Sequence, residues 1–131
     1  MGSVKRKGRI IIPADVNPWP QELRVARILA HEGYKVEFLA ESKLRTPDIK
    51  LNGIEFEIKS PESFNPNTLE HKIKDALKQS RNIIIDSSRI GRIRDDKIKR
   101  FLIGQVQRQK QIKKMLFVTK RGKIIDISRM I

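Results

Sequence analysis

An Asn-Gly pair at positions 52 and 53 constrains the fold of this 131-residue chain more than any other feature. The pair separates two runs in which apolar and polar residues alternate, which is the pattern of half-buried strands. Asn and Gly tolerate the positive φ angles that a two-residue hairpin turn requires, so we predict a tight β-hairpin. The turn also fixes which residues face each other. The predicted pairs are Leu51 with Ile54, Lys50 with Glu55, Ile49 with Phe56, and Asp48 with Glu57.

This register places two acidic residues, Asp48 and Glu57, directly opposite each other. Like charges in that position destabilise a hairpin, because their Cβ atoms lie about 4.5–5.5 Å apart. A proton on one carboxyl group or a bound divalent cation would offset the repulsion, and Lys59 lies two residues beyond Glu57 on the same face. Two carboxylates and a lysine suit metal-assisted phosphodiester hydrolysis. The alternative is an ordinary hairpin with a charged, solvated outer face. The apolar face is assigned to Ile49, Leu51, Ile54, Phe56 and Ile58.

The rest of the chain is predicted to form helices and strands separated by loops. Pro20 suits the first turn of a helix, and Gly33 suits its C-terminal stop. Asn67 or Thr68 is a candidate N-cap for a second helix, and Asp95 for a third. The predicted elements are a strand at 10–12, a helix at 21–32, a strand at 34–40, the hairpin, the second helix, a strand at 82–86, the third helix, and a strand pair within 113–128.

This order of elements predicts an α/β or α+β fold with a mixed central sheet. We expect residues 1–9 to form a basic flexible tail and residues 10–131 to form a single domain. No stretch approaches the roughly 18 apolar residues of a membrane-spanning helix, and residues 1–9 do not have the form of a signal peptide. The chain has no cysteine, which excludes a disulfide framework and a thiolate zinc site.

The net charge of +14 predicts a polyanionic partner, and nucleic acid is the usual one. The charge is uneven, since residues 89–131 hold 14 Lys and Arg against 3 Asp and Glu. The acids therefore lie mainly in the first two-thirds, where they could hold a metal, while the basic surface holds phosphates. Aromatic residues are few and mostly alternate with polar ones, which does not favour a base-stacking platform for single strands.

Pro47-Asp48, followed after eight residues by Glu57-Ile58-Lys59, resembles the motif of the PD-(D/E)XK nuclease superfamily. The predicted order α-β-β-β-α-β over residues 21–86 is similar to that superfamily's core, to which this chain adds a helix and a C-terminal β-hairpin. The resemblance implies a metal-dependent nuclease that uses Mg²⁺, Mn²⁺ or another divalent cation. It implies Asp48 and Glu57 as metal ligands, Glu22 of the first helix as a further ligand, and Lys59 beside the attacking water.

Within that superfamily, the small size and basic tail resemble the C-terminal tRNA nuclease toxins of bacterial contact-dependent growth inhibition systems. This resemblance implies cleavage of tRNA in the cytoplasm of a neighbouring bacterial cell, after delivery as part of a larger secreted protein. It also implies a small, acidic immunity protein as partner, and a monomer rather than a dimer. Two alternatives remain open: a DNA endonuclease or Holliday junction resolvase of the same fold, and a non-catalytic nucleic-acid-binding module.

Several basic residues are candidates for contacts with substrate phosphates, because they lie on the second helix or in the loop that follows the 82–86 strand. These candidates are Lys72, Lys78, Arg81, Arg92 and Arg94. His31 and His71 are the only histidines, and we expect both to be structural or surface residues rather than an acid–base pair.

Overall fold

The computed structural model describes residues 7–40 and 46–130. Within them, strands and helices follow the predicted order. The elements are β1 (Ile10–Ile11), α1 (Pro20–His31), β2 (Val36–Phe38), β3 (Ile49–Leu51), β4 (Ile54–Lys59), α2 (Pro66–Leu77), β5 (Asn82–Asp86), α3 (Asp95–Arg108), β6 (Lys114–Val118) and β7 (Ile124–Asp126), followed by a short 3₁₀ turn (Ile127–Arg129). The mixed α and β architecture expected from the sequence is confirmed.

The strands form one sheet in which sequence order is also spatial order, from β1 to β7. Strands β4, β5 and β6 run parallel to one another, and the β2–β3, β3–β4 and β6–β7 pairs are antiparallel. Helices α2 and α3 provide the two crossovers among β4, β5 and β6, and α1 connects the parallel pair of β1 and β2, as parallel pairing requires. The carboxyl ends of β4, β5 and β6 therefore meet at one edge of the sheet.

The predicted hairpin is confirmed, together with three of the four predicted pairs. Asn52 and Gly53 both adopt positive φ, 49° and 83°, as a two-residue turn demands. The three pairs nearest the turn match the prediction: Leu51 with Ile54, Lys50 with Glu55, and Ile49 with Phe56. The assignment of Ile54 to the buried face is wrong, because its side chain is 52% exposed at the tip of the hairpin.

The core lies on both faces of the sheet. One cluster joins Val25 and Leu29 of α1 to Phe56 and Ile58 of β4. The other joins Ile73 and Ala76 of α2 to alternate residues of β5 and β6, together with Ile98 and Leu102 of α3. Because Phe56 and Ile58 point towards α1, the residue between them points towards the face that α2 covers.

Two predicted helix caps are wrong. The N-cap of α2 is Asn65, whose Oδ1 accepts hydrogen bonds from the backbone N–H groups of Asn67 and Thr68 at 3.0 and 3.2 Å. Pro66 then occupies the first helical position, where a missing N–H is harmless. In α3, Asp95 is the first helical residue and Arg94 is the N-cap, so Asp95 lies in the turn that favours negative charge.

The predicted flexible tail lies only partly within the described residues, because positions 1–6 fall outside them. Gly8 donates a backbone hydrogen bond to the Ala30 carbonyl at 2.7 Å, and the Arg9 carbonyl accepts one from Val36 at 2.8 Å. A Cβ added to Gly8 would lie 1.8 Å from the Tyr34 carbonyl oxygen. Glycine is therefore required where this segment passes the end of α1.

Candidate functional site

Asp48 lies just before β3, and its side chain bonds directly to the neighbouring strand. Its Oδ2 accepts a hydrogen bond from the backbone N–H of Ile58 at 2.8 Å. This bond extends the hairpin one step beyond the Ile49–Phe56 pair. The carboxylate of Asp48 is thus fixed beside the part of β4 that carries Glu57 and Lys59.

Glu57 is buried, although alternation placed it on the polar face of the hairpin. It pairs with Ile83 of β5, and its exposed fraction is 6%. Its Oε2 lies 3.4 Å from the Lys59 Nζ, whereas its Oε1 is buried without a hydrogen-bond partner. A buried carboxylate oxygen without a partner costs free energy, which makes this atom a candidate ligand position rather than a structural one.

The electrostatics of the site act on Glu57. The pKa of Glu57 is raised to about 7, chiefly by burial and then by the negative charge of Asp48, against the opposing effect of the Lys59 charge. The sequence predicted that a proton or a cation would offset the Asp48–Glu57 repulsion, and the raised pKa of Glu57 is consistent with a proton in this role below about pH 7.

Glu22 is in a different environment from Glu57. Its Oε1 accepts the backbone N–H of Trp19 at 2.8 Å at the start of α1. Glu22 and Asp48 line one cleft of about 360 Å³, whose described lining residues include neither Glu57 nor Lys59. In the described ranges no group of three or more His, Cys, Asp or Glu residues could hold a metal ion. The role of Glu22 as a further ligand stays a prediction.

A family model for the contact-dependent growth inhibition CdiA C-terminal domain matches residues 45–124, more than half of the chain. The chain belongs to this family. A comparison with curated proteins finds no significant match. Among solved structures, a toxin and immunity complex, CdiA-CT/CdiI from Burkholderia pseudomallei, aligns with a TM-score of 0.61 and 19% identity, covering 95% of this chain and 96% of that one. At this identity, the match supports a shared fold.

The five predicted phosphate contacts lie in three places. Lys78 and Arg81 precede β5 at its amino end, where Lys78 pairs with Asp75 and Arg81 Nε donates to the Gln111 carbonyl. Arg92 and Arg94 lie beyond the carboxyl end of β5, and both are exposed. Lys72 lies on α2, which packs against β4 and β5.

Arg92 and Arg94 line a second cleft of about 510 Å³ with Lys97 and Arg100. Lys59 ends β4 at the edge of the sheet from which this loop departs. Of the five predicted contacts, Arg92 and Arg94 therefore lie in a basic cleft on the Lys59 side of the sheet. No helix among the described residues has the length and hydrophobicity needed to cross a membrane.

Asp86, at the end of β5, is a buried carboxylate that the sequence did not identify as a candidate. Its exposed fraction is zero, and it accepts hydrogen bonds from Arg24 Nη1 at 3.0 Å and Ser60 Oγ at 3.0 Å. The backbone N–H and the hydroxyl of Ser88 also donate to it. Arg24 Nη2 donates to the carbonyls of Thr119 and Lys120, so the network ties α1 to three strand ends. The sequence signal for Asp86 was an acidic residue directly after three isoleucines.

Proposed function

We propose that this domain is the toxic part of a contact-dependent growth inhibition protein and that it acts as a metal-dependent nuclease on tRNA. Membership of the family and a fold shared with a toxin from a toxin–immunity complex support the toxin role. The net charge of +14 supports a nucleic acid substrate. The proposal includes delivery from a larger protein, action in the cytoplasm of the neighbouring cell, and neutralisation by an immunity protein.

The observation that carries the nuclease proposal is the buried, unpartnered Oε1 of Glu57 beside Asp48. This donor set fits Mg²⁺ or Mn²⁺, since such ions are commonly held by one or two carboxylates and complete their shell with water and substrate oxygens. Asp48 and Glu57 would hold the ion, which when bound supplies a Lewis acid for the phosphodiester group.

Lys59 is proposed to act on the attacking water. Its Nζ lies 3.4 Å from Glu57 Oε2 and its side chain is 28% exposed, so the ammonium group is held beside the carboxylates and still reaches solvent. There it can orient water or stabilise charge that develops on the phosphate. Arg92 and Arg94 are proposed to hold the RNA backbone beyond the same edge of the sheet.

The test is incubation of the purified domain with total tRNA and, separately, with plasmid DNA, in Mg²⁺, in Mn²⁺ and in EDTA. We expect discrete tRNA fragments that require the divalent ion and disappear in Asp48→Ala. Cleavage of plasmid but not tRNA would favour a DNA endonuclease. Binding of tRNA without cleavage in either metal would contradict the nuclease proposal and favour a non-catalytic module. Full activity of Asp48→Ala would contradict the assigned site.

A further inference from the structure

The chain contains one tryptophan, Trp19, and its side chain is 69% exposed. Large aromatic side chains normally bury much of their surface, so an exposed indole beside a cleft points to a ligand. The exposed fraction of Trp19 is larger than those of the other large exposed hydrophobic residues described, which are Ile11, Ile12, Ile54 and Met130.

The backbone around Trp19 is held in place before any ligand arrives. Pro18 and Pro20 flank it, and a residue before proline is restricted to extended conformations. Trp19 has φ −66° and ψ 152°, is the N-cap of α1, and its N–H is bonded to Glu22 Oε1. Because the backbone is already held, little of its conformational entropy is lost when a flat ligand stacks on the indole.

Trp19 lines the 360 Å³ cleft that also contains Asp48. The polar side chains of this cleft include Asp15, Asn17 and Glu22, and its described lining contains no lysine or arginine. An acidic wall repels phosphate but accepts the N–H groups that every nucleobase carries. The cleft volume falls within the range of small-molecule sites.

We infer that this cleft takes an unpaired nucleobase of the RNA substrate, stacked on Trp19 and hydrogen-bonded to Asn17 or Asp15. The inference rests on the proposed nuclease function and narrows its substrate to RNA cleaved at or beside an unpaired nucleotide. Because Asp48 is shared by the cleft and the carboxylate pair, a base held on Trp19 places its own phosphates next to Asp48 and Glu57. The basic surface holds the flanking backbone.

The single tryptophan makes a direct test possible, since the intrinsic indole fluorescence comes from Trp19 alone. The protein is titrated in EDTA with a hairpin RNA that has a single-stranded loop, and with a fully paired RNA duplex of the same length. Binding is followed in parallel by anisotropy of a labelled RNA. We expect saturable quenching by the hairpin, and binding of the duplex without quenching.

Variants supply the second part of the test. Stacking on an aromatic residue contributes about 1–3 kcal/mol per base, so Trp19→Ala is expected to bind the hairpin roughly tenfold more weakly, with duplex binding unchanged. Trp19→Phe is expected to recover most of the affinity. Ile54→Ala, which removes another exposed hydrophobic side chain, serves as the matched control and is expected to bind like the wild type. Circular dichroism melts check that Trp19→Ala folds.

Two results would overturn the inference: hairpin binding without quenching, or equal hairpin affinity of Trp19→Ala and wild type. Either would leave Trp19 as a contact for a protein partner instead. The proposed function is tested by a different experiment. It fails if the wild type does not cleave RNA in Mg²⁺ or Mn²⁺, whereas the binding titration in EDTA requires no cleavage.

Discussion

Two buried carboxylates on the parallel strands β4 and β5 differ in how their oxygens are satisfied. Asp86 of β5 accepts four hydrogen bonds, and the one from Arg24 is also an ion pair. Glu57 of β4 has a lysine 3.4 Å from one oxygen and no partner for the other. Buried polar groups are normally satisfied, so Asp86 has the environment of a structural residue and Glu57 that of a functional one.

The difference follows from the position of each residue in the sheet. Asp86 lies at a strand end, where loop residues such as Ser88 and the α1 side chain of Arg24 can reach it. Glu57 lies inside its strand, under α2, and its nearest charged neighbours are Asp48 and Lys59. Functional sites often keep such locally unfavourable groups, and the rest of the fold compensates for them.

The largest expected effect is on catalysis. Glu57→Gln keeps the shape of the side chain but removes the charge that a metal ion requires. We expect tRNA cleavage to fall by about a thousandfold or more, which corresponds to roughly 4 kcal/mol of transition-state stabilisation. Single-turnover cleavage in saturating Mg²⁺ measures it. Asp86→Asn, compared as folded protein, is the control. An equal loss of cleavage in this variant would contradict the assignment of Glu57 as functional and Asp86 as structural.

The next effect is on the free energy of unfolding. Asp86→Ala leaves the Arg24 guanidinium without its buried partner, and breaking such a pair costs about 3–5 kcal/mol. Urea denaturation of the metal-free protein measures the loss. Asp75→Ala removes an exposed acid that pairs with Lys78 and is expected to change stability by less than about 0.5 kcal/mol. If Asp86→Ala is as stable as Asp75→Ala, the Asp86 network does not hold α1 to the sheet.

A third prediction concerns pH. Below about pH 4.5 the Glu57 carboxyl is protonated in both the folded and the unfolded chain. Between about pH 4.5 and about pH 7 the unfolded chain has lost this proton and the folded chain has kept it. Stability therefore falls as pH rises through this range. In EDTA, we compare the free energy of unfolding of Glu57→Gln with that of the wild type. The difference in favour of the variant should be about 2 kcal/mol larger at pH 8 than at pH 5.

Mg²⁺ provides the control for that measurement. An ion that binds the folded state stabilises it by mass action, so added Mg²⁺ should raise the wild-type melting temperature at pH 8 and leave Glu57→Gln unchanged. An equal rise in both proteins would place the metal elsewhere. A constant stability difference between pH 5 and pH 8 would contradict the raised pKa of Glu57.

The hairpin was predictable from the sequence because its determinants are local. Asn52 and Gly53 set the turn, and the turn sets the register of the three pairs nearest to it, which brings Asp48 close to Glu57. The burial of Glu57 was not predictable in the same way. Alternation separates two faces of a strand but does not reveal that α2, which begins at Pro66, covers the polar one.

The Asp86 network was beyond prediction for a similar reason. Asp86 and Arg24 are 62 positions apart, and their contact exists because α1 crosses the ends of β5 and β6. The exposure of Trp19 was not predictable either, because exposure depends on what packs around a loop, and its two flanking prolines restrict the backbone without showing where the side chain lies.

The smallest expected effect is on the pKa of Glu57 itself. The Lys59 charge lowers this pKa and the Asp48 charge raises it, so Lys59→Met should move it above 7 and Asp48→Asn below 7. Carbon-13 NMR titration of the labelled glutamate carboxyl groups in EDTA measures both shifts. Lys35→Met, which removes a lysine paired with Glu37 on β2, is the matched control and should leave the value unchanged. Opposite shifts in the two variants would show that Asp48, Glu57 and Lys59 form one electrostatic unit in solution. No shift in Lys59→Met would mean that the ammonium does not lie beside Glu57, and the role proposed for Lys59 at the attacking water would lose its geometric basis.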